Sequence, residues 1–187
     1  IADVGIFGLP NAGKSTFLAS NSNAKPKIAD YPFTTLFPNL GVVNVDNSEL
    51  VFADIPGLIK GAHLGKGIGI RFLGHVERAA ILIHLLDGTS KNLVADYKTV
   101  RRELSLYGGE LKNKRSLVVV NKIDALDKKS IEKIKNDLTK VTSPVHFISA
   151  VSGDGVEAVL RSLNRFVVGY RKDQNLIRKA SVPSWHP

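Results

Sequence analysis

The chain has 187 residues, 43% hydrophobic and 23% charged, enough for one α/β domain with a full core. It has no cysteine, which excludes disulfides and thiolate metal sites and suits a cytoplasmic setting. No stretch approaches the ~20 apolar residues of a membrane span, and Ile1–Val4 is no signal peptide. The formal charge of +9 is uneven, with six Lys/Arg against Asp173 alone from Arg161 onward; this suits a nucleic-acid partner, or equally a solvated lysine-rich surface.

Ala2–Phe7 reads as a short strand ending in a glycine-rich loop, with a helix from about Lys14. Residues 23–39 are loop-like, with Pro26, Pro32 and Pro38 and no sustained period. Val42–Val45 and Leu50–Ala53 pattern as a hairpin turned at Asp46–Asn47. The glycine-rich stretch 57–70 is expected to be a mobile loop. Ile81–Leu86 and Leu117–Val120 are continuous apolar runs, as strands buried on both faces require. Leu93, Tyr97, Val100, Leu104 and Tyr107 step by four and three, a helical stripe. Ile131, Ile134 and Leu138 make another, and Val156, Leu160, Leu163 and Val167 a third. His146–Ser149 lies between the last two as the final strand. This alternation predicts a three-layer α/β fold: a mainly parallel, six-stranded sheet with helices on both faces. The domain is expected to span residues 1–170. Residues 171–187, with Pro183 and Pro187, read as a basic tail or linker. Methionine is absent even at position 1, so an excised domain is expected.

Gly8-Leu9-Pro10-Asn11-Ala12-Gly13-Lys14-Ser15 matches G-x-x-x-x-G-K-[ST] in full, between a predicted strand and a predicted helix. Glycines let consecutive N–H groups curl around phosphate oxygens, and the helix N-terminus adds positive potential. Gly8, Pro10, Asn11, Ala12, Gly13 and Thr16 are thus candidate phosphate-loop contacts. Lys14 is expected to reach the β- and γ-phosphates and take part in catalysis. The Ser15 hydroxyl is expected to ligate Mg²⁺.

Asn121-Lys122-Ile123-Asp124 follows the strand Leu117–Val120, at the end where ligands bind in such sheets. An ionised Asp124 only accepts, and guanine offers it two donors where adenine would present a lone pair. Ser149 and Ala150, after the last strand, can offer backbone N–H groups to the guanine carbonyl. Together with the phosphate loop these residues imply a guanine nucleotide, GTP or GDP.

Asp54-Ile55-Pro56-Gly57 closes the strand Leu50–Ala53. Asp54 can reach the metal through a water, and the Gly57 N–H can meet the γ-phosphate. Phe33, Thr34 and Thr35 offer a loop able to close over Mg²⁺, and loss of the γ-phosphate would release both loops. Leu58 stands where many such switches carry a glutamine that orients the attacking water.

The segments KPKIADYPFTTLFPNLGVV, ADIPGLIKGAHLGKGIGIRFLGHVERA and NKID resemble the Obg (CgtA) family, within the Ras-like P-loop GTPases, and the likeness runs from about Ile1 to Tyr170. The resemblance implies slow GTP hydrolysis and a switch role in large ribosomal subunit assembly and growth or stress control. It maps a magnesium ligand and catalytic role onto Thr35. It implies large-subunit and ribosomal RNA contacts through flanking domains. The chain is expected to be a monomer.

Guanosine alarmones are further candidate ligands. A non-hydrolysing, nucleotide-gated binding module stays open as the alternative, because Leu58 cannot replace glutamine. Two readings of Asn11 also stay open. Its carbonyl could hold K⁺ between phosphates, in place of an arginine's charge, or asparagine could simply tolerate an awkward backbone angle. Arg71 and Arg78 are arginine-finger candidates but sit on an expected helix behind the loop. His84 reads as a core residue and His75 as packing. His63 lies in the switch loop, although general bases matter little in loose phosphoryl transfer.

Overall fold

Val4–Phe7 carries no polar side chain and forms β1, buried at every position. In the computed structural model, which describes residues 2–28, 38–55, 77–107 and 109–180, β1 lies at the middle of the sheet. It pairs in parallel with β4 (Ser48–Asp54) on one side and β5 (Ile81–Asp87) on the other. Beyond β5 come β6 (Ser116–Asn121) and β7 (Val145–Phe147), both parallel. Beyond β4 come β3 (Asn39–Val45) and β2 (Lys27–Ile28), each joined by an antiparallel ladder.

Among the described residues the sheet therefore has seven strands, in the order β2-β3-β4-β1-β5-β6-β7, and not the six expected. The added strand, β2, is two residues long within a stretch that reads as loop, too short for any side-chain period to register. It exists because Lys27 and Ile28 find backbone partners in Leu40 and Asn39. The hairpin turns at Asp46 and Asn47 as expected, with Asp46 left-handed at φ 52, but its strands run several residues longer than their apolar cores. β7 sits slightly earlier than His146–Ser149.

Four α-helices are seen among the described residues: α1 (Lys14–Asn21), α2 (Leu93–Tyr107), α3 (Lys128–Thr139) and α4 (Val156–Ala180). The period of two along each strand sorts them into layers. Val4 and Ile6 of β1, and Ile81, Ile83 and Leu85 of β5, face Phe17 and Leu18 of α1 and Val156, Val159, Leu163 and Val167 of α4. Phe7 and Leu82 turn the other way, onto Val100 and Leu104 of α2. Leu86, Val118 and Val120 close the core against Leu93 and Leu138. Asp127 caps α3 by accepting from the Ser130 N–H at 2.7 Å.

The expected tail is helical from residue 171 to Ala180, because no helix breaker intervenes before Pro183 and because Arg171 is anchored. Its guanidinium donates to both carboxylate oxygens of Asp3, at 3.1 and 2.7 Å, and to the Glu49 carbonyl at 3.3 Å. Phe33, Thr34, Thr35, Gly57, Leu58, His63, Arg71 and His75 lie outside the described residues, as does the loop 57–70.

His84 is fully buried on β5, between the rings of Phe7 at 4.7 Å and Tyr97 at 5.3 Å, and among the described residues neither of its nitrogens has a hydrogen-bond partner. Burial, with a smaller push from Arg101, lowers its pKa to about 3. The unfolded chain then takes up a proton that the folded chain refuses between pH 6.5 and about 3, so stability should fall as pH drops through that window. At about pH 4.5 the loss from this residue should be about 2–3 kcal/mol relative to neutral pH. Urea midpoints at the two pH values will show it, and His84→Phe, which keeps the ring stack, should remove it.

Candidate functional site

The phosphate loop runs from the buried end of β1 into the first turn of α1, so its shape is set by what it must avoid. Gly13 is left-handed at φ 91, and a Cβ there would sit 2.3 Å from Nδ2 of Asn121. Only glycine fits both the angle and the space. Asn11 is also left-handed, at φ 66, an angle asparagine tolerates better than most residues.

Asn121 approaches the loop because it is a strut. Its Nδ2 donates to the Ala12 carbonyl at 2.9 Å, and its Oδ1 accepts from the Ala150 N–H at 2.9 Å. Its own carbonyl accepts from the Gly88 N–H at 2.8 Å. One buried amide thus joins the phosphate loop, the end of β6 and the loop after β7. The two partners also fix which way the amide points, since the nitrogen must face a carbonyl and the oxygen an N–H.

At the start of α1, Lys14 lays its ammonium over the loop, donating to the carbonyls of Gly8 at 3.1 Å and Leu9 at 3.2 Å. Ser15, one residue on, donates its hydroxyl to Asp54 Oδ2 at 3.0 Å. The other oxygen, Asp54 Oδ1, is buried with no hydrogen-bond partner among the described residues. Burial pushes the Asp54 pKa up, only partly opposed by Lys14 and by the Ser15 hydrogen bond. Burial likewise lowers the Lys14 pKa, with Asp54 opposing. Both groups are therefore under-compensated in their charged forms. A buried carboxylate oxygen beside a hydroxyl is a hard oxygen donor pair of the kind Mg²⁺ takes, so these residues fit that ion. Thr16, next on α1, and Pro10, in the loop, are exposed.

The second half of the site gathers at the carboxyl ends of β5, β6 and β7. Lys122 is left-handed at φ 68 and opens a short 3₁₀ turn, Ile123–Ala125, that carries Asp124 to the surface. Its ammonium meets Asp87 Oδ2 at 2.6 Å. Asp87 also accepts from the Thr89 N–H at 2.9 Å and the Thr89 hydroxyl at 2.6 Å. Burial raises the Asp87 pKa, but the bonds from Lys122 and Thr89 outweigh it and hold the group below the usual carboxylate range. Ser149 and Ala150 are buried in the next loop. The Ser149 N–H donates to the Asp154 carbonyl at 3.0 Å and the Ala150 N–H to Asn121, so a guanine carbonyl placed there would share the Ala150 donor.

The structure therefore brings together Gly8 to Thr16, Asp54, Asn121, Lys122, Asp124, Ser149 and Ala150 along one edge of the sheet. Sequence reasoning passes over Asp87 and Gly88. The available signal is an acid and a glycine immediately after the apolar run Ile81–Leu86, at a strand's carboxyl end. Among the described residues no group of three or more His, Cys, Asp or Glu could hold a metal, and no helix is long and apolar enough to cross a membrane.

A family model described as 50S ribosome-binding GTPase matches residues 3–122. Solved structures share the fold. The G domain of the FeoB iron transporter of T. maritima superposes with a TM-score of 0.62 at 20% identity, over 87% of this chain and 96% of that one. Nucleolar GTP-binding protein 1 of Plasmodium falciparum gives 0.64 at 20% identity, over 95% and 91%. The cytosolic domain of T. maritima FeoB in its GMPPNP form gives 0.65 at 20%, over 89% and 64%.

Removing the strut should be costly. Asn121→Ala leaves the Ala12 carbonyl and the Ala150 N–H buried without partners, and should lower stability by about 2–4 kcal/mol. Asn121→Asp should be worse, because it sets a carboxylate against the Ala12 carbonyl. Chemical denaturation of the two variants will rank them.

Proposed function

This chain belongs to the 50S ribosome-binding GTPase family as a P-loop GTPase G domain, and from that premise we propose that it is a slow, magnesium-dependent GTP hydrolase of Obg type. Its role in this reading is a switch in large ribosomal subunit assembly, under growth or stress control.

The observation that carries the reading is the meeting of Ser15 with Asp54, whose second oxygen is buried and has no hydrogen-bond partner among the described residues. Together with Thr35 in the upstream loop, these residues would hold Mg²⁺, which when bound neutralises charge on the β- and γ-phosphate oxygens. The protein's own part is positioning. Backbone N–H groups between Gly8 and Thr16, Pro10 excepted, take phosphate oxygens, and Lys14 exchanges two carbonyl partners for phosphate, a stronger acceptor. Asp124 reads the two donors of guanine, and Gly57 senses the γ-phosphate. Leu58 leaves the attacking water without a side chain to orient it, which agrees with slow turnover. The same leucine favours the second reading, a guanine-nucleotide-gated binding module without hydrolysis. Single-turnover assays of phosphate release decide between them.

The basic carboxyl-terminal part and the family description support large-subunit and ribosomal RNA contacts, with flanking domains contributing, and guanosine alarmones are candidate ligands of the same pocket. If RNA phosphates carry that contact, its affinity should fall steeply between about 50 and 200 mM salt. A salt titration of binding to large subunits checks this, and a flat response would remove the RNA-phosphate interface.

Asp124→Asn tests base choice. The amide loses charged hydrogen bonds worth roughly 1.5–3 kcal/mol each to guanine and can donate to the extra carbonyl of xanthine. GTP affinity should fall strongly while xanthosine triphosphate improves, as read by competition binding. Unchanged GTP affinity would sink the assignment.

A further inference from the structure

We propose that Asp87 is a positioning residue for base recognition that acts through Lys122, a role resting on the guanine-nucleotide reading above. β5 is apolar except for His84 along Ile81–Leu86 and then places an acid at its carboxyl end, directly opposite Asn121 in the parallel register. That register sets Asp87 beside the turn that carries Asp124.

One Asp87 oxygen takes the Lys122 ammonium at 2.6 Å, and the other takes both donors of Thr89. Three donors on one carboxylate leave it no freedom to swing. Its burial-driven upward pKa push is outweighed by those donors, so the charge persists at neutral pH. The pair is still partly wet, with 34% of the Lys122 side chain and 21% of the Asp87 side chain exposed. Ion pairs this exposed add little to folding stability. Their consequence is geometric.

Lys122 already holds an unfavourable left-handed backbone, at φ 68. With its ammonium fixed at Asp87, its four-carbon stem is laid between the ends of β5 and β6, next to the turn Ile123–Ala125. A base whose edge is bonded to Asp124 then meets an apolar rail already in place, not a lysine that must first be ordered. The side-chain freedom otherwise lost on binding has been given up beforehand. Asp87 touches no part of the nucleotide in this scheme. It sets the shape of the residue that does.

The test is a double-mutant cycle on methylanthraniloyl-GDP affinity in the domain, using Asp87→Asn, Lys122→Met and the pair. Asp87→Asn keeps the shape and the Thr89 acceptor, and replaces the charged acceptor that holds Lys122 with an amide N–H donor. It should raise Kd about three- to tenfold, mainly through faster release, while the melting temperature stays at the parental value. In the Lys122→Met background the same substitution should add nothing. Losses that multiply in the double variant, or a parental Kd for Asp87→Asn, overturn the proposal. The Asp124→Asn base switch, measured in parallel, separates the two levels. If guanine preference survives there, the base-site reading itself fails, whatever Asp87 does.

Discussion

Everything at the carboxyl edge of this sheet hangs on the side chain of Asn121. A parallel sheet delivers loops to one edge without specifying how they sit relative to one another. Here a single buried amide settles that, with one atom on the phosphate loop and another on the loop after β7. The arrangement works only because Gly13 has no Cβ, so two distant positions constrain each other sterically as well as through hydrogen bonds. The phosphate end and the base end of the site are consequently one rigid unit. Misplacing either would misplace the other.

The electrostatics of the two ends differ in a way that follows from burial. At the phosphate end, Asp54 and Lys14 are half-desolvated and poorly compensated, each pushed toward its neutral form. Such groups gain from added charge of the right sign, which is what a metal–phosphate pair brings. At the base end, Asp87 and Lys122 compensate one another and sit closer to water. One end is left open for a ligand, and the other is internally balanced and holds a shape.

Much of the fold could be read from residue patterns. The apolar runs of β5 and β6 and the three helical stripes gave the layers, because strands buried on both faces and helices buried on one leave distinct periods. The phosphate loop and N-K-x-D were legible because their chemistry demands particular residue types at fixed spacing. β2 was invisible, being made by backbone pairing of two residues. Asp87 was missed for a different reason: its partner, Lys122, is thirty-five positions away, and only the register of β5 on β6 brings them together. The role of Asn121 as a strut was hidden likewise, since an asparagine in that motif reads equally well as a ligand contact. Gly169, inside α4, shows the converse: nothing in its surroundings requires glycine, and the helix runs through it.

The anchoring of α4 by Arg171 has a mechanical side. Asp3, which receives the guanidinium, also accepts the Val51 N–H at 2.9 Å, so it is fixed to both α4 and β4. From there the phosphate loop is only the four residues of β1 away, about 13 Å of extended chain. A strand is stiff along its axis, and this one is hydrogen-bonded on both sides. A push or pull on the far end of α4 would therefore arrive at Gly8 with little slack, making β1 a short connecting rod between the outer helix and the nucleotide's phosphates.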